Sequence, residues 1–425
     1  MNLHRNLRLS LLDAFFFSIM LGVGESYLPA YALSVGMSQV LAGWFTSLPQ
    51  VVGSVIQLLT PWGVQVVGSV KRWVVGSTAL QASCFLPLLY FAQNPDQTPH
   101  WVLFVVVSFY WGAGYAAGPT WNFWMGSLVP RETSEEFFSR RARVSQLGIL
   151  LGLLGAGLAL HWKMHLPGMT SVFSLLFLLA FASRASSSLF LNQKEFHAHW
   201  TPPRGYHLLQ ALGGFRRNTS FKKFFGFLFA FYFVITLSSP FVNPFFLKQL
   251  HMSYQDYMIS MAVFLIAKIL FLPLAKPLIH SWGLKNTFFV AALGLSPLPA
   301  FFIWNQSFWW IQIIQALSGA SWAIFEVALA LVFFGQVNQE QKIPTLTLFN
   351  FFNASSILLG SLVGGHVLKS FGESLEGYWV LFSIGATARV SLVIAFWYLI
   401  KAESFLLSEV SHSGELPNGL GNIRS

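Results

Sequence analysis

Six charged residues stand out because each lies inside a long apolar run: Asp13, Glu25, Arg184, Lys268, Glu326 and Arg389. A charged group that leaves water needs a partner, trapped water or a function. A carboxyl in that setting can take up and release a proton, or hold a cationic group of a bound molecule. Glu25 is the sharpest candidate for that chemistry. Its bland alternative is an acid that only bonds a polar neighbour. Lys268 and Glu326 carry opposite charge and are expected to form a buried ion pair. Such a pair can switch contacts between segments, or merely make both charges tolerable. Asp13 is expected to pair with a basic residue nearby.

A second set of candidates is uncharged: Gln50, Gln57, Trp121, Asn122, Trp124, Gln146, Asn243, Asn350 and Asn353. Amides can bond a polar solute or hold neighbouring helices together. Tyr115, Trp121 and Trp124 follow one another around a small-residue stretch, Gly112 to Pro119, where an aromatic-lined pocket could form. His197 and His199 form a His-x-His pair with no third ligand in reach, so no metal site is expected. The one cysteine, Cys84, excludes an intrachain disulfide and a cysteine metal site. No His-Glu-x-x-His, Gly-x-Ser-x-Gly or P-loop pattern is present. Neither an enzyme, a cofactor nor ATP-driven work is expected.

The elements that must position these residues follow from composition. Of 425 residues, 55% are hydrophobic and 9% charged, and mean hydropathy is +0.59. Soluble proteins carry roughly 25% charged residues, so this composition points to a helical protein that crosses a membrane many times. Roughly 20 apolar residues are needed per crossing. Twelve runs qualify: 9–34, 38–60, 73–92, 100–129, 143–162, 170–192, 223–247, 255–275, 286–304, 308–335, 345–368 and 377–400. The first is too long for a signal peptide and holds Asp13 and Glu25, so it reads as an uncleaved helix. The formal charge of +10 would suggest nucleic acid, but the basic residues fall in short gaps between apolar runs. With an inside N-terminus, 19 of 25 lie in cytoplasmic segments and 3 in outer ones. This is the positive-inside pattern. The mixed-charge stretch 131–143 reads as a cytoplasmic loop. Lys71, Arg72, Arg140, Arg141 and Lys285 are the candidate residues of a cytoplasmic gate. The three basic residues within runs are Arg184, Lys268 and Arg389. The two arginines are read as structural, either packing inside the bundle or snorkelling toward the cytoplasmic face.

The chain divides into six runs, 1–192, a polar connection, 193–222, six more runs, 223–401, and a Ser- and Gly-rich tail, 402–425, expected to be disordered and cytoplasmic. The halves repeat each other. Ile149–Leu160 and Ile357–Leu368 match at seven of twelve positions with an offset of 208. Phe177 and Arg184 match Phe382 and Arg389 at an offset of 205. Pro29, Met37 and Ser38 match Pro244, Met252 and Ser253 at an offset of 215. Three matches in order, pairing run n with run n+6, imply parallel repeats with a site between them.

On these features the chain resembles the major facilitator superfamily. That family's loop motif after the second span is Gly-x-x-x-Asp-Arg-x-Gly-Arg-Arg. Here Gly63 to Arg72 keeps the first Gly and the final basic pair, with Val67 at the Asp place. The counterpart after span 8, His280 to Lys285, keeps Gly283 and Lys285. Span 5 holds Gly148, Gly152, Gly155 and Gly157 but lacks the Gly-Pro that ends the family's antiporter motif. The resemblance implies an all-α integral membrane protein with twelve transmembrane helices in two pseudo-symmetric six-helix bundles. It implies a secondary transporter working by alternating access. Spans 1 and 10 would line its cavity, which turns Glu25, Lys268 and Glu326 into candidates for proton coupling or solute contact. The expected setting is a multi-pass protein of a bacterial inner membrane, monomeric, with both termini cytoplasmic. Its expected partners are lipid, a small organic solute and protons, and not nucleic acid. Multidrug-type efflux, and a non-transporting membrane sensor or assembly partner on the same scaffold, remain the alternatives.

Overall fold

The computed structural model describes residues 3–95, 99–129, 131–164, 166–195, 219–336 and 342–401. The His197-x-His199 pair, most of the expected central connection and the tail from 402 lie outside these residues. The described chain is helical throughout and contains no strand. Ten segments are long and apolar enough to cross a membrane. One of them, Tyr254–Trp304, has 51 residues and holds two of the expected runs. With the helix Gln39–Leu58 they make up the twelve spans.

Local chemistry sets the boundaries. The Ser38 hydroxyl accepts from the Leu41 amide and opens span 2. Gly68, at φ 67°, closes the short helix Thr60–Val67 in the left-handed conformation that glycine tolerates best. Ser69 then accepts from the Arg72 amide and starts span 3. Gly283, at φ 79°, makes the break that separates span 8 from span 9 inside Ala275–Leu295. The stretch 131–143, expected as a loop, is instead the first part of the helix Arg131–His161. Its charges therefore sit at fixed helical spacing.

Spans 1 and 7 are among those interrupted where the sequence carries Gly or Pro. Span 1 runs as the helix Leu3–Val23, a single 3-10 turn Glu25–Tyr27, and the helix Leu28–Ser34 with Pro29 in its first turn. Span 7, expected as one run, ends its first helix at Thr236 and continues through short turns to a π-helical segment, Phe245–Gln249. Pro240 and Pro244 have no amide hydrogen to continue the ladder. Arg389 braces the last turn of the first helix of span 7 and the end of the helix Ala275–Leu295. Its guanidinium donates to Val234 O (3.3 Å), Ile235 O (2.7 Å), Leu295 O (3.3 Å) and Ser238 Oγ (2.6 Å). Arg389 is 5% exposed, so it is an internal clamp and does not reach for the cytoplasmic boundary.

The residues fall into two compact units. The first comprises Met1–Tyr206 with Pro240–Ile259, the second His207–Ser239 with Ser260–Ser425. In the first, span 1 packs against spans 5 and 6, span 2 against span 4, and span 3 against spans 4 and 6. In the second, span 7 packs against spans 11 and 12, span 9 against spans 10 and 12, and span 8 against span 10. The neighbour pattern is the same six spans later. Glycines make the closest crossings. A Cβ at Gly152 would strike the backbone of Ile19 and Gly22, and one at its repeat partner Gly360 would strike Phe233 and Thr236.

Candidate functional site

In the first unit, the 3-10 turn of span 1 presents Glu25 to span 4. The Tyr110 hydroxyl donates to Glu25 Oε2 at 2.6 Å and lies 3.2 Å from Met20 Sδ. Tyr110 is almost completely buried, its ring edge-on to Phe85 at 5.3 Å and to Trp111 at 5.8 Å. One turn further along span 4, Tyr115 packs on Trp111 and places its hydroxyl 3.5 Å from Gln50 Oε1. Gln50 also donates to Thr46 O at 2.6 Å. Glu25 itself is half-buried. The turn is held from behind, because Gly22 lies against the backbone of span 5 and Tyr27 donates to Leu153 O at 2.8 Å. The result is a carboxyl on a fixed turn, bonded to one phenol, in aromatic and apolar surroundings.

A second cluster gathers around Asp13. Asp13 Oδ1 accepts from Ser187 Oγ at 2.8 Å, and Oδ2 lies 3.5 Å from both Arg141 Nη2 and Lys194 Nζ. Arg184 donates to Ser187 Oγ (2.8 Å) and to Gln81 Oε1 (2.8 Å), with its guanidinium 4.5 Å from the centre of the Phe17 ring. Of its two structural readings, packing is the one seen: Arg184 is buried (5% exposed) and points into the bundle. Lys194, one residue past span 6, is fully enclosed, 5.3 Å from the centre of the Trp124 ring. Burial pushes its ammonium down to about 8, against the opposing pull of Asp13. Trp124 Nε1 donates to Glu195 O, and the Glu195 amide donates to Asn6 Oδ1. Three cations thus share one carboxylate at the end of span 6.

In the second unit, Lys268 Nζ meets Glu326 Oε1 at 2.8 Å, joining spans 8 and 10. The expected burial is absent: the side chains are 21% and 45% exposed. Phe325, the next residue on span 10, takes the buried position.

The remaining expected residues scatter. Trp121 lies under Arg141, 4.1 Å from its guanidinium carbon, in the Asp13 region and not beside Glu25. Asn122 is exposed, and Asn243 and Asn350 are half-buried. Gln146 and Asn353 each have a buried side-chain oxygen with no hydrogen-bond partner among the described residues. Of the expected gate, Arg72 and Arg140 are exposed, Lys71 is half-buried, and Lys285 sits 5.6 Å from the centre of the Trp397 ring. Arg141 is committed to Asp13 within its own unit.

The family model of the Major Facilitator Superfamily matches residues 9–242 and 224–419. The chain belongs to the major facilitator superfamily. As a member it is a multi-pass membrane transport protein and not an enzyme. Solved structures agree on the fold. A crystal structure of the nucleoside transporter NupG is similar over 95% of this chain and 100% of its own, with a TM-score of 0.69 and 17% identity. A D-xylose-proton symporter is similar over 92% and 97%, with a TM-score of 0.64 and 15% identity. A bacterial homologue of the iron transporter ferroportin, in its inward-facing state, is similar over 94% and 99%, with a TM-score of 0.69 and 14% identity. No curated protein matches by sequence.

For this superfamily member, sequence reasoning missed Tyr110, the direct partner of Glu25. Its signal was present: a phenol inside an apolar run must find a partner for its hydroxyl. It also missed Gln81 and Ser187, which make Arg184 tolerable inside the bundle. The polar stretch Ser183-Arg184-Ala185-Ser186-Ser187-Ser188 carried that signal.

Proposed function

We propose that this transporter moves a small organic solute by alternating access, coupled to protons through Glu25. The contact that carries the reading is the 2.6 Å hydrogen bond from Tyr110 to Glu25 Oε2. Glu25 has this phenol and no cation among its described hydrogen-bond and ion-pair partners. Gaining or losing a proton therefore changes the net charge of that site. A protonated Glu25 keeps the phenol as a neighbour; an ionised one leaves a charge that water, a cationic solute group or a shift of span 1 against span 4 must balance. Glu326 serves less well, because Lys268 already balances it. Gln50 and Tyr115, beside this site, are the polar contacts offered to solute. A bacterial inner membrane, cytoplasmic termini and a monomeric state complete the reading, the orientation resting on the distribution of Lys and Arg.

The test is proton movement in liposomes holding the purified protein, screened against a library of small solutes. A solute that moves protons in the wild type and not in Glu25→Gln supports the reading. Tyr110→Phe should keep transport and alter its dependence on pH. Solute flux with unchanged proton movement in Glu25→Gln would overturn it.

A further inference from the structure

The ion pair of the second unit, Lys268 with Glu326, faces away from lipid and is not saturated. On span 8, Ile266 and Leu270 are exposed apolar residues one turn apart, a surface suited to lipid tails. Lys268 lies two residues from each and so points to the opposite side of the helix. On span 10, Ile313 and Leu317 form the corresponding exposed stripe. Glu326 lies nine residues beyond Leu317, two and a half turns, again on the opposite side. Its side chain is nevertheless nearly half exposed. A charged group that is open on the side away from lipid borders water-filled space within the protein. The helices that carry the pair are fixed, because a Cβ at Gly319 of span 10 would strike Phe264 O and the Lys268 amide nitrogen of span 8.

A bridge that served packing alone would be closed off. Among the described residues, Lys268 Nζ uses one of its three N–H groups, donated to Glu326 Oε1 at 2.8 Å, and Oε2 accepts from none. The exposure of both side chains leaves room for a further partner. The pair is neutral as a whole. A lone anion on Lys268, or a lone cation on Glu326, would leave a net charge at membrane depth, which is costly. A solute with both charges adds none: its ammonium meets Glu326, its carboxylate meets Lys268, and the four charges alternate. Phe264 and Trp322 stand one turn before Lys268 and Glu326 on the same helix faces and are half-buried, which gives the rest of the solute an apolar contact. We propose that Lys268 and Glu326 together bind a small zwitterion of the α-amino acid type with an apolar side chain. This deepens the transport reading above, on which it rests, by naming the class of solute.

The test uses the purified full-length protein in detergent and three compounds with the same phenylethyl skeleton. L-phenylalanine carries both charges, phenethylamine lacks the carboxylate, and 3-phenylpropanoate lacks the ammonium. Binding of each compound in radiolabelled form is read by equilibrium dialysis at pH 7. The wild type should bind L-phenylalanine at least about tenfold more tightly than either analogue, the effect of one charge-assisted hydrogen bond made or left unmade. Glu326→Gln should change the order so that 3-phenylpropanoate binds best, and Lys268→Met so that phenethylamine does. A bridge that only holds the helices together would alter stability in these variants and leave the order of the three compounds alone. Equal binding of the three by the wild type overturns the inference, as does an absence of L-phenylalanine binding at millimolar concentration or an unchanged order in either variant. If the variants do not fold, the wild-type order decides alone. Proton-coupled flux of another solute without L-phenylalanine binding refutes only the solute class, and L-phenylalanine binding without proton-coupled flux refutes only the coupling.

Discussion

Lys194 and Asp13 form one ion pair, yet removing each should have opposite effects on stability. The Lys194 ammonium is enclosed, and burial holds it at about 8 against an ordinary 10.5. In the unfolded chain the amine regains its ordinary value. Between pH 8 and 10.5 the unfolded state therefore binds more protons than the folded one, and stability rises with pH across that window. Below pH 8 both states are protonated and the cost of burying the charge is fully present. At about 1.4 kcal/mol per unit, the gap corresponds to about 3 kcal/mol. Lys194→Met removes that cost. Asp13 keeps Arg141 at 3.5 Å and, through Ser187, Arg184. Thermal unfolding in detergent at pH 7 should show Lys194→Met as stable as the wild type or more so. The wild type should gain stability from pH 8 to 10 relative to this variant. Asp13→Asn removes the carboxylate that faces Lys194 and Arg141 and, through Ser187, Arg184, and should lose about 3–5 kcal/mol. Equal losses in the two variants, or an alkaline gain that persists unchanged in Lys194→Met, would refute the reasoning.

Further expectations concern the scaffold. Arg389→Gln should destabilise the fold by about 3 kcal/mol, read as a lowered unfolding temperature, because it strips hydrogen bonds from carbonyls of spans 7 and 9; Arg389→Lys, lacking the planar fork, should not restore it. Gly152→Val and Gly360→Val should each abolish a monodisperse peak in size-exclusion chromatography, whereas Gly155→Val, with open space at its Cβ, should not. Lys268→Glu and Glu326→Lys should each impair solute flux, and the double exchange should restore part of it, since the pair lies 2.8 Å apart across spans 8 and 10.

The span count, the family and the order of the repeat were legible in the sequence because apolar length and small-residue spacing are one-dimensional signals. The direction of a side chain is not. Arg184 sits in span 6 where a long stem could bend to the membrane boundary or turn inward. Its choice depends on Gln81, more than 100 residues earlier, and on Asp13 through Ser187. The same holds for Glu326. Span 10 is apolar almost all round, so its sequence did not show that Phe325 would take the buried position and leave Glu326 half-exposed. The helical state of 131–143 was hidden for another reason. Its clustered acids and bases carry no apolar period, and the helix Arg131–His161 runs through them into the span.

The repeat also explains where chemistry can reside. Gly152 and Gly360, and Arg184 and Arg389, hold equivalent places in the two units, so what was duplicated is packing. The acids were not duplicated. At the offset of 215 that relates spans 1 and 7, Asp13 corresponds to Leu228 and Glu25 to Pro240. Arg184 accordingly reaches a carboxylate through Ser187, whereas Arg389 is held by carbonyls and Ser238. Leu228 is buried near Phe225 and Phe349, where the first unit carries the charged cluster around Asp13. Equivalent positions of the repeat are thus ionic in the first unit and apolar in the second.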